Sequence, residues 1–451
     1  MKKRLVLVLN TLLLITGVSA QERTLSDTEK IIGLSRLWEG VRSNFVYYDK
    51  LQLDWDSLYE ASIPKILETK DSYSYIKELE RIVAYAQDGH TYVYHNVAQP
   101  VGEERIKPLP FTTKLVGNKV LVDEVLSTEL LNKGVVRGTE VVKINDLDVF
   151  TYAKKELGQY IPSSTPQWLY YKTMNGFELT KTRSIAPMSV EFYNNDKKIS
   201  VFYPNKELDW DIQKKQRQRE QNGETQNTIG DRTIEFKMLA NNIGLLKIYH
   251  FNDKDFNRKF DEIYPSILST NGLIIDLRNN EGGNSGYADY VLRHLSKRPI
   301  KTINWSSRMY IPAHASWGYP DEWYSMVSDN MEPINNKEIY INPITVMVDG
   351  GTFSSAEDFC VKFRGMKRGS IIGTTTGGST GNGVRITLIE GVAWASICSR
   401  KVIAPDGTIF VGVGVIPDIK VEETKESFLA NKDIVLEKAV SEITIAFPDK
   451  N

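Results

Sequence analysis

The run Gly272-Leu273-Ile274-Ile275-Asp276-Leu277-Arg278-Asn279-Asn280-Glu281-Gly282-Gly283 decides the fold. Its first half is apolar at nearly every position, the pattern of a strand buried on both faces. Such strands belong to parallel sheets covered by helices. Its second half ends in adjacent glycines, which let a backbone approach a ligand closely and adopt φ > 0. The same design recurs downstream. Ile344-Thr345-Val346-Met347-Val348 reads as a second buried strand, and Ser370-Ile371-Ile372-Gly373 as a short third. Ile243 to Ile248 reads as a strand ahead of them. Helical stretches lie between, over Phe256–Leu268, around Ala288–Leu295, and from about Ser354 to Arg364. This βαβ rhythm predicts an α/β core over residues 232–451.

Upstream the pattern changes twice. Residues 206–231 mix Lys, Arg, Gln, Glu and Asn with almost no apolar residue after Ile212, the composition of a polar linker or loop. Before it, residues 99–205 read as a β-rich domain. Lys119–Val125 is strand-like, a short helical piece carries Leu130 and Leu131, and Gly134 and Gly138 mark turns. The strand Val141–Asn145 and a helical stretch from Tyr152 to Leu157 follow. This order resembles a PDZ domain, a module that captures peptide ends by strand addition. Residues 21–98 are helical in pattern. Ser26 and Glu29 form a capping-box pair, and further amphipathic stretches run from Leu58 to Leu67 and from Ser74 to Ala86. Residues 1–20 combine Lys2, Lys3 and Arg4 with the apolar run Leu5–Val18 and the small residues Ser19 and Ala20. They read as an export signal cleaved before Gln21. The apolar run is shorter than the ~20 residues that span a bilayer, so no stable membrane insertion is expected after cleavage. An exported protein in the periplasm or outside the cell follows from this reading.

Composition narrows the function. The 56 basic and 57 acidic residues leave a net charge of -1, which gives no electrostatic reason for a nucleic-acid partner. His90, His95, His250, His294 and His314 show no HExxH spacing, and two cysteines cannot build a zinc site alone, so no metal is expected. Cys360 and Cys398 read as two small buried hydrophobes, although export would permit a disulfide. The aromatic-rich segment Trp305–Met331 reads as a packed insertion or a wall of the substrate cleft.

Two loops follow the two most buried strands, where α/β sheets collect their functional groups. In the first, Gly282 and Gly283 suit an oxyanion hole or a plain tight turn. The second, Asp349-Gly350-Gly351-Thr352-Phe353-Ser354-Ser355-Ala356-Glu357-Asp358, places a serine at a strand-to-helix junction, where free N–H groups favour negative charge. The same spacing of Ser354 and Glu357 would also serve as a helix cap. Gly377, Gly378, Gly381 and Gly383 are not followed by Gly-Lys-Ser/Thr, so a phosphate-binding loop is excluded.

Four ordered motifs carry a resemblance: GLIIDLRNNEGG, ITVMVDGGTFSSAEDF, GSIIGTTTGGSTGNG and PDGTIFVGVGVIPDI. Together they resemble the tail-specific (C-terminal processing) protease family, in the branch with the tricorn core and the interphotoreceptor retinoid-binding protein. The resemblance covers most of residues 232–425. It implies an α/β catalytic core with an N-terminal helical segment and a PDZ-like β-rich domain, no cofactor, and a protein or peptide substrate cut near its C-terminal end. It implies Ser354 as nucleophile, Glu357 as the family's glutamate, and Ser355 as an oxyanion-hole amide beside Gly282 or Gly283. One branch of the family uses a lysine base, at a position where this chain has Ser379. The other uses a histidine, and Asp88-Gly89-His90-Thr91 matches that motif, which makes His90 the expected base. The glutamate expected before the GVxPD motif is missing, since Val411 or Gly412 stands there. Glu357, Asp88 or Asp358 is then the candidate to orient the imidazole. A weakly active or inactive homologue that binds peptides or lipophiles is the competing reading.

Overall fold

The computed structural model describes residues 24–97, 109–180, 188–203 and 232–446. The expected export signal and polar linker lie outside the described residues. Gly272–Asp276 sits inside a six-stranded sheet. In spatial order the strands are Ile419–Lys420, Gly369–Gly373, Ile344–Val348, Gly272–Asp276, Ile243–Ile248 and Ile234–Met238. Neighbours are parallel except the last pair. Leu273 and Ile275 face a core shared with the helices Phe256–Leu268, Ser285–Arg293 and Ser355–Met366. Ile274 faces the other side, where Val435, Ala439 and Ile443 of the Ile434–Ala446 helix close on it. Both faces are therefore dry, and the strand tolerates no polar alternation. Gly272 lets the last helix approach, because a Cβ there would lie 2.2 Å from Ile443. The polar exception, Asp276, is held by Arg278 at 2.9 Å and Lys247 at 3.2 Å.

The N-terminal helices Asp27–Asn44, Trp55–Leu67 and Ser72–Ala84 do not pack only on one another. The Ser26–Glu29 capping box forms as expected. Leu34, Leu37, Val41, Tyr75, Ile76 and Leu79 share one core with Leu388, Ile389, Ala393, Ala395 and Ile397. Those partners come from the hairpin Gly383–Ile389 and Ala393–Cys398, far along the chain. The strand Tyr92–His95 then pairs antiparallel with Ala393–Cys398. Sequence-distant segments are thus fused, and the fusion delivers the turn before Tyr92 to the α/β half.

The β-rich domain has a sheet with the order Phe111–Val116, Lys119–Val125, Glu140–Ile144, Met188–Asn194, Lys197–Tyr203. Its core includes Phe111, Val120, Val122, Leu130, Val141, Ile144, Val190 and Phe192. Gly134 and Gly138 take φ of 90° and 84°, where a Cβ would be strained. A helix, Pro166–Met174, leaves this domain and reaches the α/β core. The aromatic-rich segment forms a hairpin, Asn304–Met309 with Glu322–Met326, extended by Lys401–Ile403. Its Trp317, Tyr319, Trp323 and Tyr324 are exposed. Arg308 fastens it to the N-terminal helices, donating to the Arg42 carbonyl at 2.7 Å. Both cysteines are buried free thiols. Among the described residues no helix is long and apolar enough to cross a membrane.

Ile397→Ala removes a fully buried side chain from the shared core. It is expected to cost about 2–5 kcal/mol, read as a lower denaturant midpoint. If the N-terminal helices were an independent unit, their circular-dichroism transition would not move with the rest.

Candidate active site

Ser354 stands where the buried strand Ile344–Val348 turns into the helix Ser355–Met366. Its backbone has φ 57° and ψ −125°, which an L-residue adopts only under constraint. The constraint comes from three sides. Phe353 N–H donates to the Asn280 carbonyl at 2.9 Å, Ser354 N–H donates to the Ser379 carbonyl at 3.1 Å, and Glu357 N–H donates to the Ser354 carbonyl at 2.8 Å. Gly282 supplies the room, since a Cβ there would lie 2.7 Å from Ser354 Cβ. The hydroxyl makes no helix cap. It lies 2.9 Å from His90 Nε2. The capping alternative is therefore set aside, because the bent backbone turns the side chain away from the helix amides.

His90 is positioned by the turn between the helix Ser72–Ala84 and the strand Tyr92–His95. Asp88 Oδ1 accepts from His90 N–H at 2.9 Å and from Thr91 Oγ1 at 3.0 Å, which fixes the turn. The imidazole stacks on Phe353 with ring centroids 5.0 Å apart, and Phe353 stacks on Trp168 at 3.9 Å. Gly89 is needed for this stack, as a Cβ there would meet the Phe353 ring at 2.6 Å. Burial pushes His90 down to about 4, so the ring is neutral at physiological pH.

The far nitrogen of His90 settles the third partner. His90 Nδ1 lies 2.9 Å from Ser379 Oγ. None of the three carboxyls proposed from the sequence takes that place. Glu357 instead accepts from Gly378 N–H at 2.8 Å, from Ser379 N–H at 2.9 Å and from Thr376 Oγ1. It sits in the first helical turn and reaches across to the neighbouring glycine-rich loop, so its carboxyl is spent on that loop. Burial raises it to about 8, against the pull of those donors. Asp88 binds the backbone of the histidine turn, and Asp358 binds Thr380 Oγ1 at 3.0 Å. Burial raises each of these two to about 6. Glu357 thus bonds the backbone of Ser379, the residue whose hydroxyl meets the imidazole.

The two expected glycine amides differ. Gly282 N–H is committed to Asn280 Oδ1 at 2.9 Å. Gly283 forms a parallel bridge with Phe251, in which Phe251 N–H bonds the Gly282 carbonyl and Asn284 N–H bonds the Phe251 carbonyl. That pattern turns the Gly283 amide away from Phe251. The Gly282 N–H is thus engaged, whereas the Gly283 and Ser355 amides have no acceptor among the described residues.

Sequence reasoning missed three further contributors. In the sequence, Ser379 stands out only as the residue in the place of a lysine. Asn280 is fully buried and ties Ile248 O, Gly282 N–H and Phe353 N–H together. The third is the helix Pro166–Met174. Gln167 Nε2 reaches the carbonyls of Thr376 at 3.0 Å and Val413 at 2.7 Å, and Thr165 Oγ1 reaches Gly377 O at 2.6 Å. No local pattern in residues 164–168 points to the catalytic loops, because the approach is set by tertiary packing.

Residues 242–421 match the family described as Peptidase family S41. The chain is a serine-type peptidase. The solved structure of mature CPAF complexed with lactacystin is similar at 14% identity and a TM-score of 0.60, covering 93% of this chain and 99% of that one. A structure of mature CPAF gives 14% identity and 0.62, covering 94% and 99%. A peptidase-like protein from Parabacteroides merdae gives 15% identity and 0.52, covering 93% and 97%. At such identities the likeness concerns the fold, and it extends over nearly the whole peptidase.

Asn280→Ala leaves Gly282 N–H and the Ile248 carbonyl without their buried partner. A loss of about 1–3 kcal/mol is expected, with peptidase activity falling at temperatures where the fold survives. Unchanged activity in a stably folded variant would show that Asn280 does not shape the Ser354 turn.

Proposed function

We propose that this protein is an exported serine peptidase in which Ser354 attacks the substrate carbonyl, His90 serves as general base and Ser379 orients the imidazole. The observation that carries the reading is the 2.9 Å contact between Ser354 Oγ and His90 Nε2, made by a serine at positive φ. His90 Nε2 takes the hydroxyl proton as Ser354 Oγ bonds to the carbonyl carbon. Throughout, Nδ1 keeps its proton and donates a hydrogen bond to Ser379 Oγ. The Gly283 and Ser355 amides stabilise the oxyanion, assisted by the start of the Ser355–Met366 helix. Collapse returns the proton from His90 to the leaving amine, and water releases the acyl group from Ser354 by the same route.

A neutral hydroxyl behind the histidine has a cost. No negative charge faces the imidazolium that forms, so each turnover is slower than with a carboxylate there. The competing reading, a binding protein on this fold, draws on that neutrality. It is disfavoured by the serine–histidine contact, which a binding protein has no need to maintain. Export rests on the sequence of residues 1–20, and the substrate is a protein or peptide. Cleavage near C-terminal ends is the finer expectation carried by the family resemblance.

Hydrolysis of an unfolded protein substrate tests the roles. Ser354→Ala is expected to abolish turnover, and Ser379→Ala to lower kcat about 10- to 100-fold, the worth of one orienting hydrogen bond to a charged group. The His90 value of about 4 places the acid limb of kcat/KM there, so activity should hold level as pH falls from 7 to about 5. Ser379→Asp brings a carboxylate to Nδ1 and should move that limb to higher pH. A limb near the ordinary histidine value that ignores both Ser379 variants would remove His90 and Ser379 from these roles.

A further inference from the structure

The β-rich sheet ends in the strand Phe111–Val116, whose other neighbour is Lys119–Val125. A peptide captured by strand addition must bond the outward N–H and C=O groups of such an edge. Here the chain has already bonded three of them, at Thr113 and Leu115. Thr113 N–H donates to the Gly176 carbonyl at 2.9 Å, and Gly176 N–H donates to the Thr113 carbonyl at 2.8 Å. Leu115 N–H donates to Asn175 Oδ1 at 3.2 Å, and Leu109 N–H donates to the Thr180 carbonyl at 3.0 Å. Thr113 Oγ1 adds a bond to the Met174 carbonyl at 2.9 Å.

The segment that fills the edge is anchored, not draped. Met174 and Leu179 are fully buried in the core of the β-rich domain, and Gly176 takes φ 65°, a value suited to glycine. It also continues directly from the helix Pro166–Met174. That helix bears Trp168 against Phe353 and Gln167 against the Thr376 and Val413 carbonyls. Just before it, Ser164 Oγ accepts from Gly89 N–H at 3.1 Å, next to His90. A peptide that displaced residues 174–180 would loosen the supports of both Phe353 and the histidine turn. The assembled serine–histidine pair and the filled edge belong to one conformation.

We propose that this edge is closed by the chain itself, and that substrates are read at the Ser354 cleft with no requirement for a free C-terminal carboxylate. The proposal rests on the peptidase reading above. It replaces the expectation that the β-rich domain holds a substrate's C-terminal end by strand addition.

The test uses the full mature chain and a mixed-sequence decapeptide pool, prepared with free C-terminal carboxylates and again as C-terminal amides. Two readouts are taken, kcat/KM for each pool and backbone amide exchange of residues 109–116 with and without saturating peptide. The expected result is kcat/KM equal within about twofold and no change in exchange at Thr113 and Leu115. Asn175→Ala should speed exchange at Leu115 and create no carboxylate preference. A preference of about tenfold or more for the free acids, or new protection at Thr113 and Leu115 with the acid pool alone, would overturn the proposal. Cleavage of neither pool, together with unreactive Ser354, would count against the peptidase reading. The exchange readout on its own would then still decide whether the edge is closed.

Discussion

Ser354 sits in a backbone conformation that costs on the order of 1–3 kcal/mol for an L-residue, and most of the site exists to hold it there. The loop after Gly272–Asp276 contributes the Asn280 carbonyl to Phe353 and the bare α-carbon of Gly282 to Ser354. The loop after Gly369–Gly373 contributes the Ser379 carbonyl. Three neighbouring parallel strands therefore end in loops that meet at one residue. Their register is fixed by apolar packing on both sheet faces, so the geometry of the serine is inherited from the core.

The histidine arrives by a different route. His90 is carried by the N-terminal segment, whose helices lack a separate core and share one with the Gly383–Cys398 hairpin. The strand after His90 is stitched to the same hairpin. From the other side, Phe353 stacks on the ring and is itself backed by Trp168. The result is a half-buried imidazole, kept neutral by its desolvation, with a hydroxyl on each nitrogen. The carboxyls nearby hold loops and turns. Their burial raises them, and none takes the place at His90 Nδ1 that Ser379 fills.

Much of this was legible in the sequence because it depends on local pattern. The two-sided strand Gly272–Asp276 announces the parallel sheet, whereas Ser354 and His90 enter as candidates through the family's ordered motifs and not through local pattern alone. The β-rich domain was visible in the alternation of Lys119–Val125 and the turns at Gly134 and Gly138. What escaped depends on long-range packing. Ser379 looked like a missing base, because nothing in Thr376–Gly381 shows that its hydroxyl faces a histidine far upstream. Glu357 stands with Asp88 and Asp358 among the candidates for the orienting acid, because spacing on a helix cannot show that its carboxylate is taken by the next loop. The irregular aromatic segment Trp305–Met331 hid a hairpin, since both its faces mix polar and aromatic residues and neither strand alternates cleanly.

The central claim is that Ser354 is an activated nucleophile whose reactivity comes from His90. Intact-mass spectrometry of the mature protein after exposure to a fluorophosphonate tests it most directly, with Ser354→Ala and His90→Ala alongside. A single adduct is expected on the wild type and none on either variant. An unlabelled wild type, or a His90→Ala protein that labels as fast as the wild type, would contradict it.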